Sequence, residues 1–153
     1  MTIKVSVFVK TVPEVARDLL PANLRDFQVA LMPWLAQLYY EDKRLHYELV
    51  KLPDRYGENR LEIGLHFESQ DHALNELLLT GFERYLFEVR EALGDNWYAE
   101  AWDKGWTKIY TTASYIVMDD EFLQQTAKQL ADAITVMQPI YRLVSKREKI
   151  KSR

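Results

Sequence analysis

Residues 44–69 read RLHYELVKL (44–52), PDRYGEN (53–59) and RLEIGLHFES (60–69), and the fold follows from them. Leu45, Tyr47 and Leu49 alternate with His46, Glu48 and Val50. Leu61, Ile63, Leu65 and Phe67 alternate with Glu62, Gly64, His66 and Glu68. A period of two is the strand period, because successive side chains point to opposite faces. The connection at 53–59 carries Asp, Gly and Asn and is turn-forming. An antiparallel hairpin is therefore expected, apolar on one face, with two histidines and three glutamates on the other. That is the alternation of a sheet with one solvated side.

The segments downstream extend the pattern. From Ser69, a plausible N-cap, and Asp71, which suits a positive helix end, Leu74, Leu77, Leu78, Phe82, Tyr85, Leu86, Val89 and Leu93 form a stripe at 3–4 spacing. Gly94 is placed to stop this helix. Residues 97–103 and 106–112 flank Lys104-Gly105 and predict a second hairpin. Asp119 or Asp120 caps a final helix whose buried stripe runs from Phe122 through Leu130, Ile134 and Met137 to Val144, with Pro139 predicting a kink or break near Gln138. Residues 44–146 thus predict a ββαββα core: an α+β two-layer sandwich, an antiparallel sheet of two hairpins with long helices on one face.

Residues 1–43 precede that core. Ile3, Val5, Val7 and Val9 alternate with Lys4, Ser6, Phe8 and Lys10 and predict an N-terminal strand. Thr11 caps a short helix with Pro13 in its first turn, ending before Pro21. A second helix, capped by Asn23, carries Phe27, Leu31, Trp34, Leu35 and Leu38, kinked or ended by Pro33. The basic tail 147–153 is expected to fray.

Bulk properties set bounds. A chain of 153 residues matches one domain. A net charge of −3 weighs against non-specific nucleic-acid binding, which needs a positive field. The absence of cysteine excludes disulfides, thiolate catalysis and cysteine-held metal centres. No apolar run approaches the ~20 residues of a membrane span. The expectation is a soluble, cytoplasmic protein with no membrane partner.

From Leu61 to Val144 the order of elements resembles an uncharacterised bacterial domain associated with restriction-nuclease-like and defence proteins. The shared features are the Leu/Phe helix ending Leu93-Gly94, then Trp102, a strand carrying Ile109-Tyr110 and a long closing helix. The resemblance leaves out the first 43 residues. It implies an accessory role near nucleic acid and carries no catalytic residue across.

Three surfaces carry candidate chemistry. Residues two apart on a strand share a face, so His46 with Glu48, and His66 with Glu68, offer imidazole and carboxylate donors suited to zinc or another divalent metal. The competing reading is cross-strand His–Glu pairing on a wet face. Trp97, Trp102 and Trp106, with Lys104 and Lys108, offer a ligand or partner surface, against core packing of the same rings. Glu41-Asp42-Lys43 has the Glu-x-Lys spacing of restriction-type nucleases but lies in a polar connection, where a turn is expected. No Gly-x-Ser-x-Gly elbow or Gly-rich phosphate loop occurs. The sequence therefore reads as a non-enzymatic binding module for a protein or small molecule, with no catalytic residue and no required cofactor. The alternatives are a metal-dependent enzyme built on His46, Glu48, His66 and Glu68, and an accessory nucleic-acid module.

Overall fold

The computed structural model describes residues 1–151. The chain runs α1 (Val5–Leu19), β1 (Gln28–Met32), β2 (Leu35–Tyr39), β3 (Leu45–Lys51), β4 (Arg60–Phe67), α2 (His72–Glu83), α3 (Leu86–Leu93), β5 (Tyr98–Ala101), β6 (Thr107–Ser114) and α4 (Asp120–Lys151). The six strands form one antiparallel sheet in the order β1-β2-β3-β4-β6-β5. The hairpin of residues 44–69 is its centre, with β3 and β4 paired so that His46 faces His66 and Leu49 faces Ile63. The helices cover one face, which makes a two-layer α+β sandwich.

Between sheet and helices lies the core. Tyr47, Leu49, Leu61, Ile63, Leu65 and Phe67 point into it from β3 and β4, as the alternation predicts. Phe82 of α2 and Tyr141 of α4 pack their rings on Phe67. The Tyr47 hydroxyl, buried among apolar neighbours, donates to Gln138 Oε1 at 2.8 Å, which satisfies two polar groups at once.

The N-terminal 43 residues fold differently from expectation. The predicted strand at 2–10 is instead the start of α1, and Pro13 sits inside that helix. Alternating valines and a helical stripe overlap in VSVFVKTV. Burial decides between them, because Phe8, Val9, Val12 and Ala16 form one face that packs against α4 and the sheet. The predicted helix at 23–38 is a third hairpin, β1–β2, turning at Pro33-Trp34. Here the proline supplies the fixed φ of a turn rather than a kink. Its hydrophobic residues fit both periods, and Ala36 and Leu38 reach the core from β2.

Further on, the helix predicted from 72 to 93 is interrupted at Arg84-Tyr85, giving α2 and α3. Its N-cap is Asp71, which accepts from the Leu74 amide at 3.2 Å, while Ser69 Oγ accepts from the Asp71 amide. Asp119 caps α4 by accepting from the Phe122 amide. The break expected at Pro139 does not occur, since α4 continues past it to Lys151. The helix thus extends through most of the tail expected to fray, whose last two residues lie outside the described residues. Among the described residues no helix is long and apolar enough to cross a membrane.

The helical reading of residues 5–19 has a direct test. Phe8→Ala should cost about 3–5 kcal/mol in urea unfolding, and Val7→Ala at the exposed neighbouring position less than about 0.5 kcal/mol. Equal costs would contradict the packing of α1.

Candidate metal centre

On a strand, every second residue of β3 and β4 looks away from the helices. Those positions hold His46 and Glu48 on β3, and Arg60, Glu62, Gly64 and His66 on β4. Gln37 of β2 lies opposite Glu48, Lys108 of β6 opposite His66, and Glu100 of β5 opposite Lys108. This face was expected to be wet. Instead His46 is 2% exposed, His66 1%, Glu62 4% and Glu48 8%. The cause is the turn between β5 and β6, which folds over the face. Trp102 stands edge-on to the His66 ring at 5.6 Å between centroids, and Trp106 packs on Trp102 at 5.4 Å. Lys104 and Gly105 make that turn with φ of 53° and 82°. Gly64 supplies room beneath, since a Cβ there would stand 2.8 Å from Tyr110 Cβ and 2.9 Å from the Ile109 carbonyl.

Under this roof four donor groups converge. His46, Glu48, His66 and Glu68 each bring one ligand atom to within 4.8 Å of all the others. His46 Nε2 lies 3.2 Å from Glu48 Oε1 and 3.9 Å from Glu68 Oε1. His66 Nδ1 lies 3.0 Å from Glu68 Oε2 and 3.7 Å from Glu48 Oε2. Donors around a tetrahedral zinc ion with bonds of about 2.1 Å stand roughly 3.4 Å apart. The cluster is already at that scale.

Each imidazole is also held from behind. His46 Nδ1 lies 2.8 Å from the Lys43 carbonyl, and His66 Nε2 lies 2.9 Å from Glu62 Oε2. A carbonyl oxygen only accepts, so Nδ1 of His46 carries the proton. Its Nε2 lone pair then faces carboxylate oxygens, an arrangement that only a positive charge between them satisfies. Glu62 is itself gripped by Lys108 Nζ at 2.7 Å, and the Glu48 carboxylate accepts from Gln37 Nε2 at 3.4 Å. Such outer contacts fix the tautomer and aim of metal-ligating histidines.

The electrostatics run the same way. Burial opposes charge on His66, but the Glu48 carboxylate, then Glu62 and Glu68, outweigh it and raise the imidazole from the ordinary 6.5 to about 9. Burial also opposes charge on Glu48, yet His66 and His46 hold it below the ordinary carboxylate value. Glu62 is lowered in the same way by His66 and Lys108. The negative side chains are stabilised by whatever cation sits among them, proton or metal.

All four metal-ligand candidates named from the sequence meet in this cluster. Glu62, Gln37 and the Lys43 carbonyl, which orient them, were not among the candidates. Glu62 was legible as a third glutamate on the same face, whereas Gln37 was hidden by the helical reading of β2. The aromatic surface divides. Trp102 and Trp106 form the roof, and Lys108 stands 5.0 Å above the Trp102 ring while gripping Glu62. Trp97 is corrected: it is 1% exposed and belongs to the core. Lys104 is exposed, 5.8 Å from the Trp106 ring. Residues 41–44 form the bend expected between β2 and β3, with Asp42 accepting from the Arg44 amide. His72 packs against Gly105 of the roofing turn. Comparison with protein-family models, curated proteins and solved structures finds no match for the chain.

The raised His66 pKa and lowered glutamate pKa values set opposite edges of a stability window for the metal-free protein. The His66 contribution is complete below about pH 6.5 and is lost as pH rises through about 9. The Glu48 and Glu62 contributions are present above their ordinary value of 4.5 and are lost as pH falls through their lower folded values. Thermal melts in chelator should therefore peak between about pH 4.5 and 6.5 and decline toward pH 9, and His66→Gln should remove the alkaline decline. A melting temperature that stays flat from pH 6.5 to 9 would contradict the cluster.

Proposed function

We propose that this protein is a metal-binding domain in which His46, Glu48, His66 and Glu68 hold one divalent transition-metal ion beneath the Trp102–Trp106 roof. The observation that carries this reading is the convergence of four donor atoms within 4.8 Å, with both imidazoles oriented from behind. Charge supports it. With neutral imidazoles, the three carboxylates of Glu48, Glu62 and Glu68 against the one Lys108 ammonium leave two negative charges, the amount a divalent ion balances. Mixed nitrogen and oxygen donors suit zinc, manganese, iron or nickel better than calcium or magnesium, which prefer oxygen alone. Four protein donors complete a tetrahedral shell and leave two positions of an octahedral one open to a ligand.

A second reading has its own support. The His66 imidazole, raised to about 9, sits between Glu62 and Glu68 of its own strand segment and 3.7 Å from Glu48 of β3, and acts as a proton-filled clasp that ties β3 to β4. In that case the module binds its partner without metal.

Metal analysis of untagged protein after dialysis against zinc, manganese or nickel separates the two. Near one equivalent is expected in the native chain and none in the folded His46→Ala/His66→Ala variant. Glu62→Gln, which keeps all four donors, should weaken the metal about 10–100-fold. Less than a tenth of an equivalent in the native chain, or equal binding by the double variant, would support the clasp instead.

A further inference from the structure

Beside the cluster, on the same sheet face, lies an open cleft of about 590 Å³. One end reaches Glu48 and His66; the other reaches Arg60 and Thr112. Val50, Leu52, Tyr56, Trp102 and Tyr110 provide walls that are mainly apolar and aromatic. Arg60 is half-buried, and its guanidinium donates to Thr112 Oγ1 at 2.6 Å. Among the described residues no carboxylate stands within ion-pair distance of it: Glu62 is held by His66 and Lys108, and Asp54 by Lys51. A partly buried guanidinium without a counter-charge, lining an open cleft, is free to take one, and its planar fork matches a carboxylate.

We propose that this cleft binds a small amphipathic monocarboxylate, with the carboxylate on Arg60 and the acyl or aryl body lying along β4 toward Trp102. The charge pattern selects the class. Among the residues that line the cleft, Arg60 is the one arginine or lysine without a carboxylate partner, since Lys108 is held by Glu62. A singly charged head therefore matches it, whereas a phosphate dianion would remain half-neutralised there. The orientation follows from repulsion. The Glu48 carboxylate and Glu100, which accepts from the Tyr110 hydroxyl, lie toward the middle and the far end, while Glu62, opposite Thr112, is held by His66 and Lys108. From Arg60 to the level of Gly64 the strand advances four residues, about 13 Å, which sets the length of the body. The walls supply the apolar contact that small-ligand clefts use, with one charged group fixing direction. This proposal does not depend on the metal, because Arg60 touches none of the four donors.

Isothermal titration of octanoate and of octan-1-ol, each into chelator-treated and zinc-treated protein, tests it. Octanoate should bind with a stoichiometry of one in both preparations, and octan-1-ol, with the same chain length but no charge, at least about tenfold more weakly. Arg60→Gln should cost octanoate about ten- to a hundredfold and leave octan-1-ol unchanged. Thr112→Glu, which places a carboxylate beside the guanidinium, should act likewise, and far-UV circular dichroism checks that both variants fold. The comparison of octanoate with octanol on the native chain stands whatever the variants do. Absence of saturable octanoate binding, equal binding of the alcohol, or undiminished octanoate binding by Arg60→Gln would overturn the proposal. Octanoate binding seen only with zinc and surviving Arg60→Gln would also overturn it, by placing the carboxylate on the metal. Zinc-independent binding that needs Arg60 would uphold it even if the metal reading failed.

Discussion

The pairing of His46 with His66 across β3 and β4, beneath a roof that keeps water out, constrains everything else on this face of the sheet. Two rings 5.7 Å apart and three carboxylates share a volume from which solvent is largely removed. Charges taken from water cost several kcal/mol each unless they are paired and hydrogen-bonded. The surrounding arrangement follows from that cost. Lys108 reaches across from β6 to Glu62, Gln37 reaches from β2 to Glu48, and the Lys43 carbonyl turns in from the β2–β3 bend toward His46.

A cluster built only to tie strands together would be an expensive choice. Well-packed apolar residues of similar volume commonly do as well or better at such positions. The opposite face of the same two strands is packed that way, with Tyr47, Leu49, Ile63 and Leu65 against the helices. The chain therefore carries a conventional core on one side of the sheet and a dense polar network on the other. The helices, the long α4 above all, pack on the apolar face, and α2 also braces the roofing turn, where Asn75 Nδ2 donates to the Gly105 carbonyl and His72 packs against Gly105. That division leaves the polar face, its aromatic roof and the neighbouring cleft available for binding.

Much of this was legible in the sequence, and the reasons for the misses are physical. Strict alternation in two β-branched and aromatic runs placed Leu49 and Ile63 inward and His46 and His66 outward, because strand geometry allows no other choice once the face is assigned. It said nothing about what lies over the outward face. Burial of His66 depends on Trp102, 36 residues further on, and on a turn whose conformation is local to Lys104-Gly105. In residues 1–43 the hydrophobic pattern fitted both periods, and tertiary packing chose: Phe8 and Val9 against α4, Ala36 and Leu38 within the sheet. Pro13 and Pro33 were each read by a local rule, yet one lies within a helix and the other in a turn. Gly64 passed unnoticed as a strand residue, although the space above it is what lets Tyr110 and the β4–β6 pairing approach so closely.

The central claim, that this buried polar network is a metal centre, is tested most directly by X-ray absorption at the zinc edge of protein loaded with one equivalent. The account predicts two imidazole shells and carboxylate oxygens at about 2.0–2.2 Å in four-coordinate geometry, with the imidazole signal lost in the His46→Ala/His66→Ala variant. A spectrum of oxygen scatterers alone, or one unchanged in the double variant, would place the zinc elsewhere and contradict the account.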